Sequence, residues 1–479
     1  MHPEPSRIPT DKYLREHTPS PDDIIFTRRQ FLTRTGMGFG GLSLAALFGM
    51  NPFIANAANA SGPASFSPLA PKQPHFKTKA KAVIHIFAEG GPSQVDTWDP
   101  KPELSKFDNK TIPGHEGLAF GSPFKFNKMG KSGLEVSEVF PKIGESIDDI
   151  AVIRSLWTDI PAHDVAQRFM NTGSLQIPKP SVGSWVVYGL GTENQNMPGF
   201  ITLGGSPEWR QASFLPGIYQ GCDVNYHRNM PLDEVLLNIK SQFSPADRQR
   251  RQLDLAKSLD KIYEANLQKD AQFDARVEAF EIAFKMQTEA TDAFDITKES
   301  EETRKMYGES DMGARMLVAR RLVERGVRFV QVSAGGWDHH GDLERSLRGR
   351  ATDVDGPAGA LLKDLKQRGL LDSTLVLWGG EFGRTVTKDR NGNATPGRDH
   401  NGRAMCCWMA GGGVKGGMAY GSTDEFGARA VENKVHIHDL HATILALLGF
   451  DHTKLTYRYN GRDFRLTDNF GNVVKDVIA

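Results

Sequence analysis

Three cysteines in 479 residues, Cys222 and the adjacent Cys406 and Cys407, are too few for a disulfide framework, a zinc ribbon or a CxxC redox pair. Charge of one sign is also missing. The 58 Lys plus Arg offset 58 Asp plus Glu, so no basic excess is available to neutralise nucleic-acid phosphates. Long apolar runs are absent too: Gly36 to Met50 is weakly apolar, contains five glycines and is too short for a stable membrane span. No internal repeat is visible. What remains is ordinary globular usage, 39% hydrophobic and 24% charged, enough for one large α/β unit with insertions or for two to three smaller domains. With 49 Gly and 26 Pro, many tight turns are expected, and loops are expected to carry the function.

The N-terminal segment reads as an address. Thr27-Arg28-Arg29-Gln30-Phe31-Leu32 is a twin-arginine pattern, and small-residue sites follow the apolar stretch at Ala55-Asn56-Ala57 and Ala58-Asn59-Ala60. The order of Arg pair, apolar stretch and cleavage site predicts a signal peptide over 1–60, a mature chain from near Ser61, a Pro-, Ser- and Lys-rich linker over 61–80, and a main domain over 81–479. The expected location is periplasmic or otherwise exported, with the twin-arginine translocase as a transient partner. Unpaired Cys406 and Cys407 suit that compartment when buried, so they are read as strand residues.

Within the mature chain the pattern alternates between strands and helices. Strands are predicted at Val83–Ala88, Ala151–Leu156, Val327–Val332, Thr374–Trp378 and Ala404–Ala410. Helices are predicted at about 163–171, Asp311–Glu324, near Pro357–Arg368 and about Leu440–Leu448, the last with Asp439 as N-cap. From Ser244 to about Gln287, capped by Ser244-Pro245-Ala246-Asp247, apolar residues recur at helical spacing, which predicts a helical insertion over about 244–290. Its Phe stripe reads as packing.

Four polar, glycine-flanked clusters lie at strand ends: Glu89–Ser93, Gly336–Gly341, Gly380–Thr385 and Gly397–Gly402. The carboxyl ends of strands in an open α/β sheet face one crevice, where such clusters meet. Asp338, His339, His340, Glu381, Asp399 and His400 are ligand types suited to a divalent metal, with zinc, calcium or manganese the candidates. Arg384 and Arg398 suit an anionic ester oxygen. The alternative is a set of polar turns whose histidines cap helices or face water. His438 and His441 are an i, i+3 pair able to share a zinc, against a structural role for that helix. Tyr457, Arg458, Tyr459 and Arg462 read as a closing loop.

Phe87-Ala88-Glu89-Gly90-Gly91-Pro92-Ser93, continuing to Pro102, Gly335–His340, Gly380–Thr385, Gly397–Asn401 and Asp439–Leu445 resemble, in order, the signature stretches of the exported bacterial family called domain of unknown function 1501. The resemblance covers about 81–478. It implies the alkaline phosphatase and sulfatase superfamily, and with it a doubly wound, mostly parallel sheet, helices on both faces and one or two metals at strand ends. By that resemblance Asp338 with His339 or His340 matches an Asp-His metal pair, Glu381 stands where an Asp-His pair usually follows its strand, His400 matches the final metal histidine, and Glu89 is a ligand of a second metal. Phe382 replaces the histidine expected after the acid, and no CxPxR or SxPxR stretch exists to yield formylglycine. Ser93, Thr97 or Thr172 is then the candidate nucleophile, and His163 lies near the start of the helix that carries the nucleophile in relatives.

These readings point to an exported, metal-dependent hydrolase of phosphate or sulfate esters, acting on a small anionic ester or a sulfated or phosphorylated glycan, with Ser93, Arg384 and His163 as catalytic candidates. The alternative is a catalytically silent exported scaffold or binding protein that keeps the fold. The hydrolase reading expects Asp338, one of His339 and His340, Glu381 and His400 to share a pocket, with Glu89 and Ser93 on its opposite wall.

Overall fold

The run Ala82–Phe87 (β1) is buried at all positions, which places it at the centre of a sheet with both faces covered. A computed structural model describes residues 68–176, 179–235, 248, 250–255, 258, 291–389 and 395–479. The twin-arginine pattern, the apolar stretch and the small-residue sites lie outside the described residues, as does nearly all of the expected helical insertion at 244–290.

The sheet has nine strands. Besides β1 it contains Ile150–Trp157 (β2), Phe200–Leu203 (β3), Cys222–Asp223 (β4), Phe329–Ser333 (β5) and Thr374–Gly379 (β6). Two further strands, Gly383–Lys388 (β7) and Arg398–Asn401 (β8), form an antiparallel pair outside it. Met405–Ala410 (β9), Met418–Tyr420 (β10) and Val435–His436 (β11) complete the main sheet. Its order is β10-β2-β9-β6-β1-β5-β3-β4, with β11 also pairing β2. Strand β9 alone is antiparallel to its neighbours β2 and β6. All other pairings in the sheet are parallel. The mostly parallel sheet thus agrees with the expected fold class.

Helices that matter here are Gln94–Thr97 (α1), His163–Thr172 (α2), Val182–Leu190 (α3), Asp311–Glu324 (α4), Leu343–Gln367 (α5) and Ile437–Leu447 (α6). Helix α4 packs on β1 and β5, and α3 on β3 and β5. Trp98, Trp337, Trp378, Trp408 and Phe140 form a buried aromatic cluster. Cys222, Cys406 and Cys407 are free and buried, Cys406 and Cys407 within β9. Among the described residues no helix is long and apolar enough to cross a membrane.

Three local expectations need correction. Helix α5 does not begin at Pro357, which lies inside it, because Leu347, Ala351, Val354, Ala358, Leu361 and Leu365 continue one buried face through the proline. Burial of that face outweighs a local penalty of about 3 kcal/mol. Helix α6 starts three residues before Leu440 with His436 as N-cap, and Asp439 closes a capping box by accepting from the His436 amide at 2.8 Å. The clusters around Arg384 and His400 are not turns but the β7–β8 pair, with His400 opposite Arg384.

A candidate metal centre at the carboxyl edge of the sheet

Strands β1, β2, β5 and β6 run parallel, so the segments that follow them emerge at one edge. Because β9 runs the other way, the chain just before it also lies there. Five sequence-distant segments therefore meet: Glu89–Gly91 after β1, Pro161–His163 after β2, Trp337–His340 after β5, Glu381–Arg384 after β6, and His400 before β9. Gly90 permits a close approach, since at its φ of +106° an added Cβ would lie 2.6 Å from the Asp338 backbone nitrogen.

Three imidazole nitrogens lie close to one carboxylate oxygen. Asp338 Oδ1 lies 3.2 Å from His163 Nε2, 3.0 Å from His340 Nε2 and 3.3 Å from His400 Nε2. The Nε2 atoms of His340 and His400 are 2.9 Å apart. For metal–ligand bonds of about 2.0–2.1 Å, the edge of a tetrahedron is about 3.3–3.4 Å, and these four separations lie at or just under it; the donors of His163, Asp338 and His400 lie within 4.8 Å of one another.

Each ring is aimed by its other nitrogen. His163 Nδ1 lies 2.7 Å from Glu381 Oε1, His340 Nδ1 lies 2.5 Å from Asp389 Oδ2, and His400 Nδ1 lies 3.0 Å from the Pro161 carbonyl. A carbonyl and two carboxylates accept from the three Nδ1 atoms, so in its neutral form each ring turns a lone pair inward at Nε2. Buried His163 Nε2 has no hydrogen bond despite its closeness to Asp338. Lone pairs facing lone pairs and a carboxylate repel unless a cation lies among them, and outer acceptors on ligand histidines are the usual support of a metal. The donor set fits a divalent cation.

The surrounding charges reinforce the arrangement. Burial opposes ionisation of Asp338, but the Arg384 guanidinium beside it holds its carboxyl well below the usual range. The hydrogen bond to Glu381 raises the pKa of His163 against the effect of burial, whereas burial lowers that of His400. Glu381 is fully buried and accepts from Gly90 N at 3.0 Å and Gln167 Nε2 at 3.2 Å. It is therefore an outer support and does not face the cluster as a ligand.

Asp338, His340 and His400 come together, and His163 joins them as a ligand candidate in place of its expected catalytic role. The other expected residues are placed differently. His339 points into the core beside Trp337, where burial pushes its pKa down to about 4. Asp399 sits on a bulge between Arg398 and His400, exposed at the rim, and accepts from the His400 amide at 2.7 Å. Together with His340 and His400 it forms a second group whose donor atoms lie within 4.8 Å of one another. Glu89 binds Ser333 and is in neither group; burial raises its pKa.

Ser93 is buried and donates to Asp96 Oδ2 at 2.5 Å, and Thr97 and Thr172 are buried and bonded to backbone carbonyls. None presents a free hydroxyl to the cluster. Arg398 is spent on Asp96, at 2.7 and 3.1 Å, with both side chains fully buried. Arg384 is likewise enclosed by backbone carbonyls and is not an open fork. Phe382 packs against His163 and His400 and fills space beside them. His438 and His441 belong to neither ligand group, and His441 is bound to the Met170 carbonyl at 2.7 Å. Sequence reasoning missed Asp389, Gln167 and the Pro161 carbonyl, because hydrogen-bond partners in the outer layer carry no motif.

Fold and site together define an α/β protein with a candidate metal centre at the carboxyl edge of a mostly parallel sheet. The chain belongs to the family described as protein of unknown function (DUF1501), whose model matches residues 80–478. No curated protein matches the sequence. Similar solved structures include alkaline phosphatase from the Antarctic bacterium TAB5, at 11% identity and a TM-score of 0.32, covering 78% of this chain and 99% of that one. A sulfatase from Pseudoalteromonas sp. is similar at 11% identity and a TM-score of 0.34, covering 78% and 68% of the two chains. Phosphonate monoester hydrolase from Silicibacter pomeroyi matches at 11% identity and 0.34, covering 77% and 73%.

Proposed function

We propose that the protein is an exported metal-dependent hydrolase of phosphate or sulfate esters, acting on a small anionic ester or a sulfated or phosphorylated glycan. The observation that carries the reading is the convergence of three imidazole Nε2 atoms on Asp338 Oδ1, each ring oriented by an outer acceptor. His163, Asp338, His340 and His400 would hold the cation. Three nitrogens and one carboxylate favour zinc or manganese over calcium, which takes all-oxygen sites.

A bound divalent cation supplies Lewis acidity toward an ester oxygen and lowers the pKa of water. The protein's own part is to fix that chemistry in place. Glu381, Asp389 and the Pro161 carbonyl hold the histidine tautomers, and Phe382 excludes water from one side of His163 and His400. Since Ser93, Thr97 and Thr172 are engaged elsewhere, the attacking group is water.

That same engagement, with Phe382 in the place of an expected ligand, supports a second reading: an exported scaffold that binds metal without turnover. Elemental analysis of the purified protein, followed by chromogenic phosphate and sulfate esters with and without chelator, separates the two. The hydrolase reading expects bound metal and chelator-sensitive release, lost in His400→Ala. Metal without release favours the scaffold, and a metal-free protein that cannot be loaded removes both as stated.

A further inference from the structure

We propose that Arg384 is a built-in second cation, so that the centre takes one metal ion and not a pair. This rests on the metal-site reading above and deepens it.

The guanidinium is 1% exposed and gathers oxygens from three strand-end segments. Its Nε donates to the Gly91 carbonyl at 2.9 Å and one terminal nitrogen donates to the Arg398 carbonyl at 3.1 Å. The other terminal nitrogen binds the Gly90 carbonyl and Asp338 Oδ1, with the Trp337 carbonyl at 3.5 Å. The first of these nitrogens also lies 3.5 Å from His340 Nε2. Arg384 thus touches the carboxylate oxygen that faces the three histidines, and approaches one of those histidines.

In two-metal hydrolases the ions sit about 3.5–4 Å apart. Here the position beside Asp338 Oδ1 is filled by a group that stays protonated at any working pH. Carbonyl oxygens and a carboxylate are donors that hard cations prefer, and here all of them are directed to one delocalised charge. The charge is also held rigidly: fully buried Gln94 accepts from the Arg384 amide and donates to its carbonyl, each at 2.8 Å. Loss of the guanidinium would leave oxygen donors without a partner and remove the repulsion that keeps a second ion away. Arg384 is therefore a positioning residue that holds Asp338 and sets the metal count.

The test is cobalt titration of the full chain, read by visible absorption and by elemental analysis after desalting. Wild type is expected to saturate at one equivalent, and Arg384→Lys, which keeps a charge, also at one. Arg384→Met, checked for folding by circular dichroism, is expected to take a second equivalent. Two equivalents in wild type, or a folded Arg384→Met that stops at one, overturns the proposal. Should Arg384→Met not fold, the wild-type count decides between one ion and two. No binding by wild type is a different result, the failure of the metal reading itself.

Discussion

His340 shows how much of a proposed metal ligand's setting lies outside it. Its Nδ1 meets Asp389 at 2.5 Å, a residue on the stretch that follows β7. Replacing Asp389 with Asn keeps the shape but loses the charge that fixes the ring, so zinc affinity should fall about 10- to 100-fold, measurable by competition with a chromophoric chelator. Unchanged affinity would mean that His340 is not a ligand. At this scale the sequence exposes Asp338, one of His339 and His340, and His400, because glycines mark their segments. It does not expose Asp389 or the Pro161 carbonyl, since a backbone acceptor has no residue identity to read. Arg384 illustrates the opposite failure: its residue type suggests anion binding, whereas burial among carbonyls gives it another task.

Among the elements, strongly periodic ones were legible. Helix α4 spans Asp311–Glu324 as its pattern predicts, and β1, β2, β6 and β9 lie within a residue or two of expectation. The short pair β7–β8 escaped because charged and polar residues dominate its composition, and its pairing depends on contacts that only the folded chain supplies. At α6 the cap is distributed over two residues. Asp439 accepts from the His436 amide at 2.8 Å and from the Asn472 amide at 2.6 Å, tying the helix start to the C-terminal segment. Asp439→Ala should cost about 1 kcal/mol of stability, seen as a lower urea midpoint with an unchanged slope.

The whole molecule carries two further expectations. His85 and His441 are buried, and burial pushes the pKa of each down to about 3. Below the unfolded value of 6.5 the unfolded chain binds protons that the folded one refuses, so stability falls as pH drops from 6.5 toward 3. The loss is about 2 kcal/mol per histidine at pH about 5, and His441→Gln should flatten the pH dependence of the urea midpoint by one such share. Export is the second: replacing Arg28 and Arg29 with Lys should hold the precursor in the cytoplasm, because lysine lacks the forked guanidinium. Fractionation showing the double variant exported normally would refute the twin-arginine reading.

The reversal of β9 has a mechanical side. It returns the chain to the carboxyl edge, so that one point joins segments following β2 and β5 to the segment preceding β9. A cation held there acts as a removable crosslink between stretches far apart in sequence, and it closes long loops of the unfolded chain. Bound metal at 1,000 times its dissociation constant stabilises a fold by about 4 kcal/mol. Chelation should therefore lower the thermal midpoint, and it should open the crevice edge to protease before the rest of the sheet.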